Sequence, residues 1–291
     1  MMEQLNIIDS RHHILQQLNC KRLPVLTSDI SSLLASLTDD DIEFNKLADI
    51  LENYPSIAMR LIALSNSAWS QSTTEINTLQ AACTRLGLGV IRSISIALSV
   101  ASPFNTLRCP AFDSQYYWAT SLLAAEAASW LSPHCEKAEI DPASARAAGL
   151  MHNLGLLLLA DKLPTAVNDA IILMENDEQA NMSEALRQRL GFHYGDAGRV
   201  LGENWKLPTI FLDALSYNAS IPELYPAENQ TAELIHLTTS MVSSLQGNRP
   251  WSPPTKQQQS LGITCADATK VYERLSKQLS KIQEMANTLF S

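Results

Sequence analysis

Residues 149–159 read GLMHNLGLLLL, which puts an imidazole and a carboxamide, His152 and Asn153, side by side in an otherwise apolar run. Such a pair can serve as half of a metal site, or its polar atoms can be hydrogen-bonded inside a helical core. A second imidazole, His193, lies in GFHYGDAG, where small residues permit close backbone approach and Asp196 is placed for capping or pairing. The two histidines make a ligand pocket only if both face one cavity. Other chemistries find little support. Gly191, Gly195 and Gly198 do not form GxGxxG, and neither GxSxG nor a P-loop occurs. His134-Cys135, in SPHCEKAEIDP, is a loop pair without a third group to orient it. Asp39–Asp41 read as a charged helix start at the favourable end of the dipole.

The elements that must position these residues are helices. Apolar residues recur at intervals of three and four, as in Leu47, Ile50 and Leu51 before Pro55 and in Leu61, Ile62 and Leu64 after it. LQAACTRLGLGVIRSISIALSV gives one helix stopped near Gly87–Gly89 and then a very apolar one. YYWATSLLAAEAASWL is apolar nearly all round, which predicts a central position in a bundle. SARAAGLMHNLGLLLLADKL reads as one more such helix, closed by Pro164. Residues 246–265, with three prolines and a glutamine run, read as a loop. Beyond it, Leu275, Leu279, Ile282, Ala286 and Leu289 step by four and three. That stripe on 266–291 either packs back onto the bundle or docks a partner, a second copy of the chain included.

The chain has 291 residues, 21 of them Lys or Arg against 30 Asp or Glu, for a net charge of −9. No basic cluster suits a nucleic-acid surface. No run approaches the roughly 18 apolar residues of a membrane span, and MMEQLNIIDSRHHIL is not a secretory signal. Five cysteines, at 20, 83, 109, 135 and 265, form no CxxC pair, which fits a reducing, cytoplasmic setting without a disulfide framework.

Three stretches carry a family resemblance. LPVLTSDISSLLASL (23–37), LADILENYPSIAMRLIALSNSAW (47–69) and INTLQAACTRLGLGVIRSISI (76–96) resemble the opening of the HDOD domain. Tyr54-Pro55 stands for that family's Asp-Pro, Asn66-Ser67 matches its Asn-Ser pair, and Leu86-Gly87 its Leu-Gly ending. YYWATSLLAAEAASWL, AGLMHNLGLLLLA, LGFHYGDAGRVLGENWKLP and FLDALSYNAS follow in the family's order. Trp205 with Leu207-Pro208 reads as a helix end packed by an aromatic anchor, and the Asn66 amide as a cap at a helix break.

The resemblance implies an all-α, HD/HDOD-like bundle in two helical lobes plus a C-terminal helix. Its expected divisions are a helical extension (1–20), an N-terminal lobe (21–105) and an HD-like bundle (112–245), with a groove between lobes as the place for a ligand. It also implies a test. HD hydrolases hold a hard divalent ion with a first His, a His-Asp pair and a distant Asp, and the ion lowers the pKa of bound water. Here the His-Asp pair becomes His152-Asn153, the first His falls at Thr120, and the distant Asp falls at Thr239, three residues after His236. Tyr217-Asn218 replaces a His-His ending. Only His152 and His193 remain as ligands, without an anionic oxygen. The expected function is therefore a non-catalytic regulatory module of bacterial signalling, without cofactor, that binds a signalling protein or small effector. The alternative is a metal-dependent phosphohydrolase with altered ligands.

Overall fold

The computed structural model describes residues 14, 16, 18, 23–39, 41–67, 70, 74–176, 181–219, 230–253 and 255–290, with backbone only for 217–219 and 257. Most of the 1–20 extension, Asp40, Trp69 and the side chains of Tyr217 and Asn218 thus lie outside the described residues. Among those described there is no strand, and the all-α expectation holds. The helices are α1 (Ser28–Leu37), α2 (Phe44–Glu52), α3 (Pro55–Ser65), α4 (Leu79–Leu86), α5 (Leu88–Ala101), α6 (Ser114–Leu131), α7 (Pro142–Met151), α8 (Leu154–Lys162), α9 (Pro164–Asn176), α10 (Met182–Leu190), α11 (Tyr194–Asn204), α12 (Thr209–Ala219), α13 (Gln230–Gln246), α14 (Thr255–Leu261) and α15 (Cys265–Phe290).

The chain divides into two compact units. One comprises Met1–Val25, Pro103–Asp113 and Met151–His236; the other comprises Leu26–Ser102, Ser114–Leu150 and Leu237–Ser291. These differ from the contiguous lobes 21–105 and 112–245. The physical reason lies inside the second unit, where α7 is tied to α5 and α6 by a buried arginine and α15 packs along α6.

In the second unit, local chemistry sets most helix ends. Thr27 caps α1, its Oγ1 accepting the Ile30 N–H at 3.5 Å. Asp39 and Asp41 do not open a helix: α1 has ended, α2 begins at Phe44, and the Asp39 carboxylate instead accepts the Asp41 N–H at 3.1 Å in a turn. Arg92, itself buried, donates to the Asp39 carbonyl at 2.6 Å and so holds that turn. Pro55 opens α3, where its missing N–H costs nothing. Tyr54, in the place of the family's Asp, makes no side-chain cap; its hydroxyl donates to the Asp29 carbonyl at 2.7 Å and ties α3 to α1.

Asn66 ends α3 and closes the segment that follows. Its Nδ2 donates to the Ile76 carbonyl at 2.6 Å, and its Oδ1 accepts the Ile76 N–H at 2.8 Å. Asn66→Ala should lower stability by about 1–2 kcal/mol through these two bonds. Asn66→Asp, which keeps the acceptor and sets a carboxylate against a carbonyl, should lose at least as much; urea unfolding checks both.

The break between α4 and α5 rests on one glycine. Gly87 has φ 81° and ψ 154°, a region essentially reserved for glycine, and the two helices bend by 113° there. Gly89 is inside α5, so only Gly87 stops the helix. A Cβ on Gly87 would meet nothing within 4 Å, so Gly87→Ala should cost about 1–3 kcal/mol of pure backbone strain, read by urea unfolding at unchanged helical content. No single helix among the described residues is long and apolar enough to cross a membrane; α4 and α5 together have the length and composition but carry this bend.

α6 is the central helix of this unit, with Leu122, Leu123, Ala124, Ala125, Ala127 and Ala128 fully buried. Gly149 on α7 lets the two backbones meet, since a Cβ there would lie 2.7 Å from the Ala124 carbonyl oxygen. Two charges sit in this apolar seam. Arg146 on α7 is buried; it pairs with Glu126 on α6 and donates to Ser93 at 3.2 Å and Ser129 at 2.9 Å. Along α6 lies α15, burying Val271, Leu275, Ile282, Met285, Ala286 and Leu289 within the chain. Phe290 stacks on Trp118 with centroids 4.6 Å apart, and the Arg274 guanidinium sits 3.9 Å from the Trp130 centroid.

The 246–265 stretch is not wholly a loop, because it contains α14. Its glutamines are good helix formers, and Gly262, at φ 73°, stops the turn. Trp251 in the same stretch stacks on Tyr272 at 5.2 Å and donates to Ser240 at 3.2 Å.

Candidate functional site

His152 and Asn153 are buried, at 4% and 6% exposure, but they do not lie within one helix. α7 ends at Met151, Asn153 has φ −111° and ψ 16°, and α8 starts at Leu154. The single helix expected from SARAAGLMHNLGLLLLADKL is therefore two. Asparagine yields readily at such a point, because its side chain competes for backbone hydrogen bonds.

What the break achieves appears two residues later. A Cβ on Gly155 would fall 1.7 Å from the Tyr194 carbonyl oxygen and 2.5 Å from the Gly198 nitrogen. The start of α8 thus lies directly on the backbone of the start of α11. This contact brings the His152-Asn153 turn and His193 to neighbouring helix starts within the first unit.

His193 is fully buried and caps α11. Its Nδ1 accepts the N–H of Gly195 at 3.1 Å and of Asp196 at 3.3 Å, while Asp196 Oδ2 accepts the His193 N–H at 3.1 Å in return. Nδ1 as acceptor requires the neutral ring with the proton on Nε2, which lies 3.5 Å from the same Asp196 oxygen. Burial pulls the His193 pKa below its ordinary value; the Asp196 carboxylate opposes this and the Arg187 guanidinium adds to it.

The other carried-over positions belong to the second unit. Thr120 on α6 donates its hydroxyl proton to the Tyr116 carbonyl at 2.8 Å and accepts from Gln246 Nε2 at 3.0 Å. Thr239 is half-buried on α13, three residues after His236. These residues do not fit the ion that an HD hydrolase holds. The pair offers a carboxamide for a carboxylate, Nδ1 of His193 is spent on backbone amides, and the Thr120 hydroxyl is spent on a carbonyl. Among the described residues, no three His, Cys, Asp or Glu side chains are grouped to hold a metal.

Further residues singled out by their sequence have structural contacts. Trp205 donates from Nε1 to the Pro24 carbonyl at 2.7 Å and meets the Phe104 ring at 6.0 Å; Pro208 precedes α12 and its carbonyl accepts the Phe211 N–H at 2.9 Å. The Ser67 hydroxyl donates to the Leu64 carbonyl at 2.8 Å. Burial pushes the Cys135 thiol up to about 12, so the His134-Cys135 pair offers no thiolate nucleophile. Gly149, Gly155 and the Arg146–Glu126 pair carry only weak marks in the sequence. Their signals were glycines three residues either side of His152, and single opposite charges in two Ala-rich helices.

Among the described residues there are helices and no strand, the starts of α8 and α11 meet through Gly155, and no His, Cys, Asp or Glu cluster could hold a metal. The chain belongs to the HDOD family, whose HDOD domain profile matches residues 23–221. Solved structures share the fold. A Marinobacter aquaeolei protein provisionally called a signal transduction protein superposes with a TM-score of 0.81 at 19% identity, over 98% of this chain and 67% of its own. An HDOD domain protein of unknown function from Geobacter sulfurreducens gives 0.73 at 18% identity, over 97% and 99%. A Shewanella amazonensis protein provisionally called a phosphohydrolase gives 0.70 at 21% identity, over 95% and 98%. No curated protein matches. Family membership supports a regulatory role at that level.

Proposed function

We propose that this chain is a non-catalytic HDOD-type regulatory module of bacterial signal transduction, which acts by binding a protein partner or a small effector. One observation carries this reading. Two of the candidate polar residues are committed to holding helices: His193 caps α11, and Thr120 joins α6 to the end of α13. A group bonded in this way positions backbone and is not free to take up an ion. The signalling name of the Marinobacter neighbour is consistent with the reading, and the phosphohydrolase name of the Shewanella neighbour rests on a shared fold, which does not fix chemistry.

The experiment is capture by crosslinking in the host, then reconstitution from purified components. The expected result is a stoichiometric complex, with protein or effector, whose affinity is unchanged by a chelator. A complex that forms only with a divalent ion bound to the chain would contradict it.

A further inference from the structure

The buried cap at residue 193 has a property that the usual capping residues lack: it titrates. Ser, Thr, Asn and Asp cap helices with oxygens that stay acceptors near neutral pH. An imidazole accepts at Nδ1 only while neutral, and protonation turns that atom into a donor facing two N–H groups. We propose that His193 makes the start of α11, and through it the Gly155 seam with α8, an acid-sensitive joint: a proton on Nδ1 unmakes both bonds to the first turn, and the seam loosens as pH falls.

The geometry carries the claim. His193 is fully buried, both cap bonds end on its Nδ1, and the next residue, Tyr194, presents the carbonyl on which Gly155 rests. The surroundings oppose a charge more than they welcome it. On α11 itself Asp196 stands 3.5 Å from Nε2 and favours the cation. From α10 the Arg187 guanidinium disfavours it; Arg189 on the same helix is paired with Asp169, and Glu184 stands at that helix's far end, its backbone N–H donated to the Asn181 cap. From α12, Asp213 is engaged by Arg199. On α8, Asp161 and Lys162 pair with each other at 2.9 Å at the end away from Gly155, and His152 precedes its start.

The sign follows from which state binds the proton. With the folded pKa below the unfolded value of 6.5, the opened form takes up the proton first. The stability linked to His193 is complete above 6.5 and is lost as pH falls from there towards the folded pKa. The test is amide hydrogen exchange at Gly195 and Asp196 between pH 7.5 and 5, corrected for intrinsic rates, on the full chain and on His193→Asn, which keeps a capping oxygen that does not titrate. The expected result is protection falling by up to about tenfold per pH unit below 6.5 in the natural chain and flat in the variant. Equal pH dependence in both, or none in the natural chain, overturns the proposal. Should the variant not fold, nitrogen NMR of the His193 ring decides: a proton on Nε2 alone at pH 7 supports it, and a proton on Nδ1 there overturns it.

Discussion

Gly155→Ala should destabilise the protein by about 3 kcal/mol or more. The position leaves no route for relief. The new carbon would sit 1.7 Å from the Tyr194 carbonyl oxygen, and that neighbour is backbone, not a side chain that can swing away. α8 and α11 must separate, and the hydrogen bonds at both helix starts move with them. Gly198, on the other side of the seam, is a useful comparison, because its added carbon would be 3.3 Å from the Gly155 nitrogen, a distance that a small shift can absorb. Urea unfolding should therefore rank Gly155→Ala well above Gly198→Ala. A loss below about 1 kcal/mol for Gly155→Ala would mean that the two helices are not in backbone contact.

Arg146→Leu should cost about 3–5 kcal/mol, because it strands a carboxylate rather than because the ion pair is strongly stabilising. The Arg146 and Glu126 side chains are only 10% and 15% exposed. Without the guanidinium, Glu126 loses its charge partner, and Ser93 and Ser129 lose a donor. Adding Glu126→Leu to Arg146→Leu should then recover most of the loss, since apolar side chains of similar size often replace a buried pair at little cost. A double-mutant cycle by chemical denaturation measures this. If the double variant is as unstable as the single one, the arginine acts chiefly through the serines or through Gly89, whose added carbon would lie 3.3 Å from its Nη2.

Much of the fold could be read from residue types whose effect is local. Pro55 and Pro164 open helices, and Gly87 and Gly191 end them, each through its own backbone preference. The family pattern was equally legible, because it consists of such punctuation in a fixed order. The parts that escaped the sequence are those that depend on a partner distant along the chain. His152-Asn153 breaks a run that is otherwise a good helix, and the α8 that follows sets Gly155 against Tyr194, about forty residues on, a contact that no local pattern announces. Asp39 and Asp41 look like a helix start, yet Arg92 holds their turn instead. Arg146 and Glu126 each look like a stray charge until the helices are paired. At the candidate site, the carboxamide of Asn153 could be read directly, whereas the commitment of His193 to a cap depends on the backbone geometry around Gly195 and Asp196.

Side chains that cap and join helices, as His193 and Thr120 do, should not also hold a hydrolytic metal. Metal content of the purified chain, measured beside its hydrolysis of a phosphodiester and nucleotide panel, tests this most directly, with His152→Ala run in parallel. The account predicts substoichiometric metal in both proteins, no turnover that depends on residue 152, and a variant less stable by about 1–3 kcal/mol because its former partners lose a bond. One tightly held divalent ion per chain, lost together with turnover in His152→Ala, would contradict it.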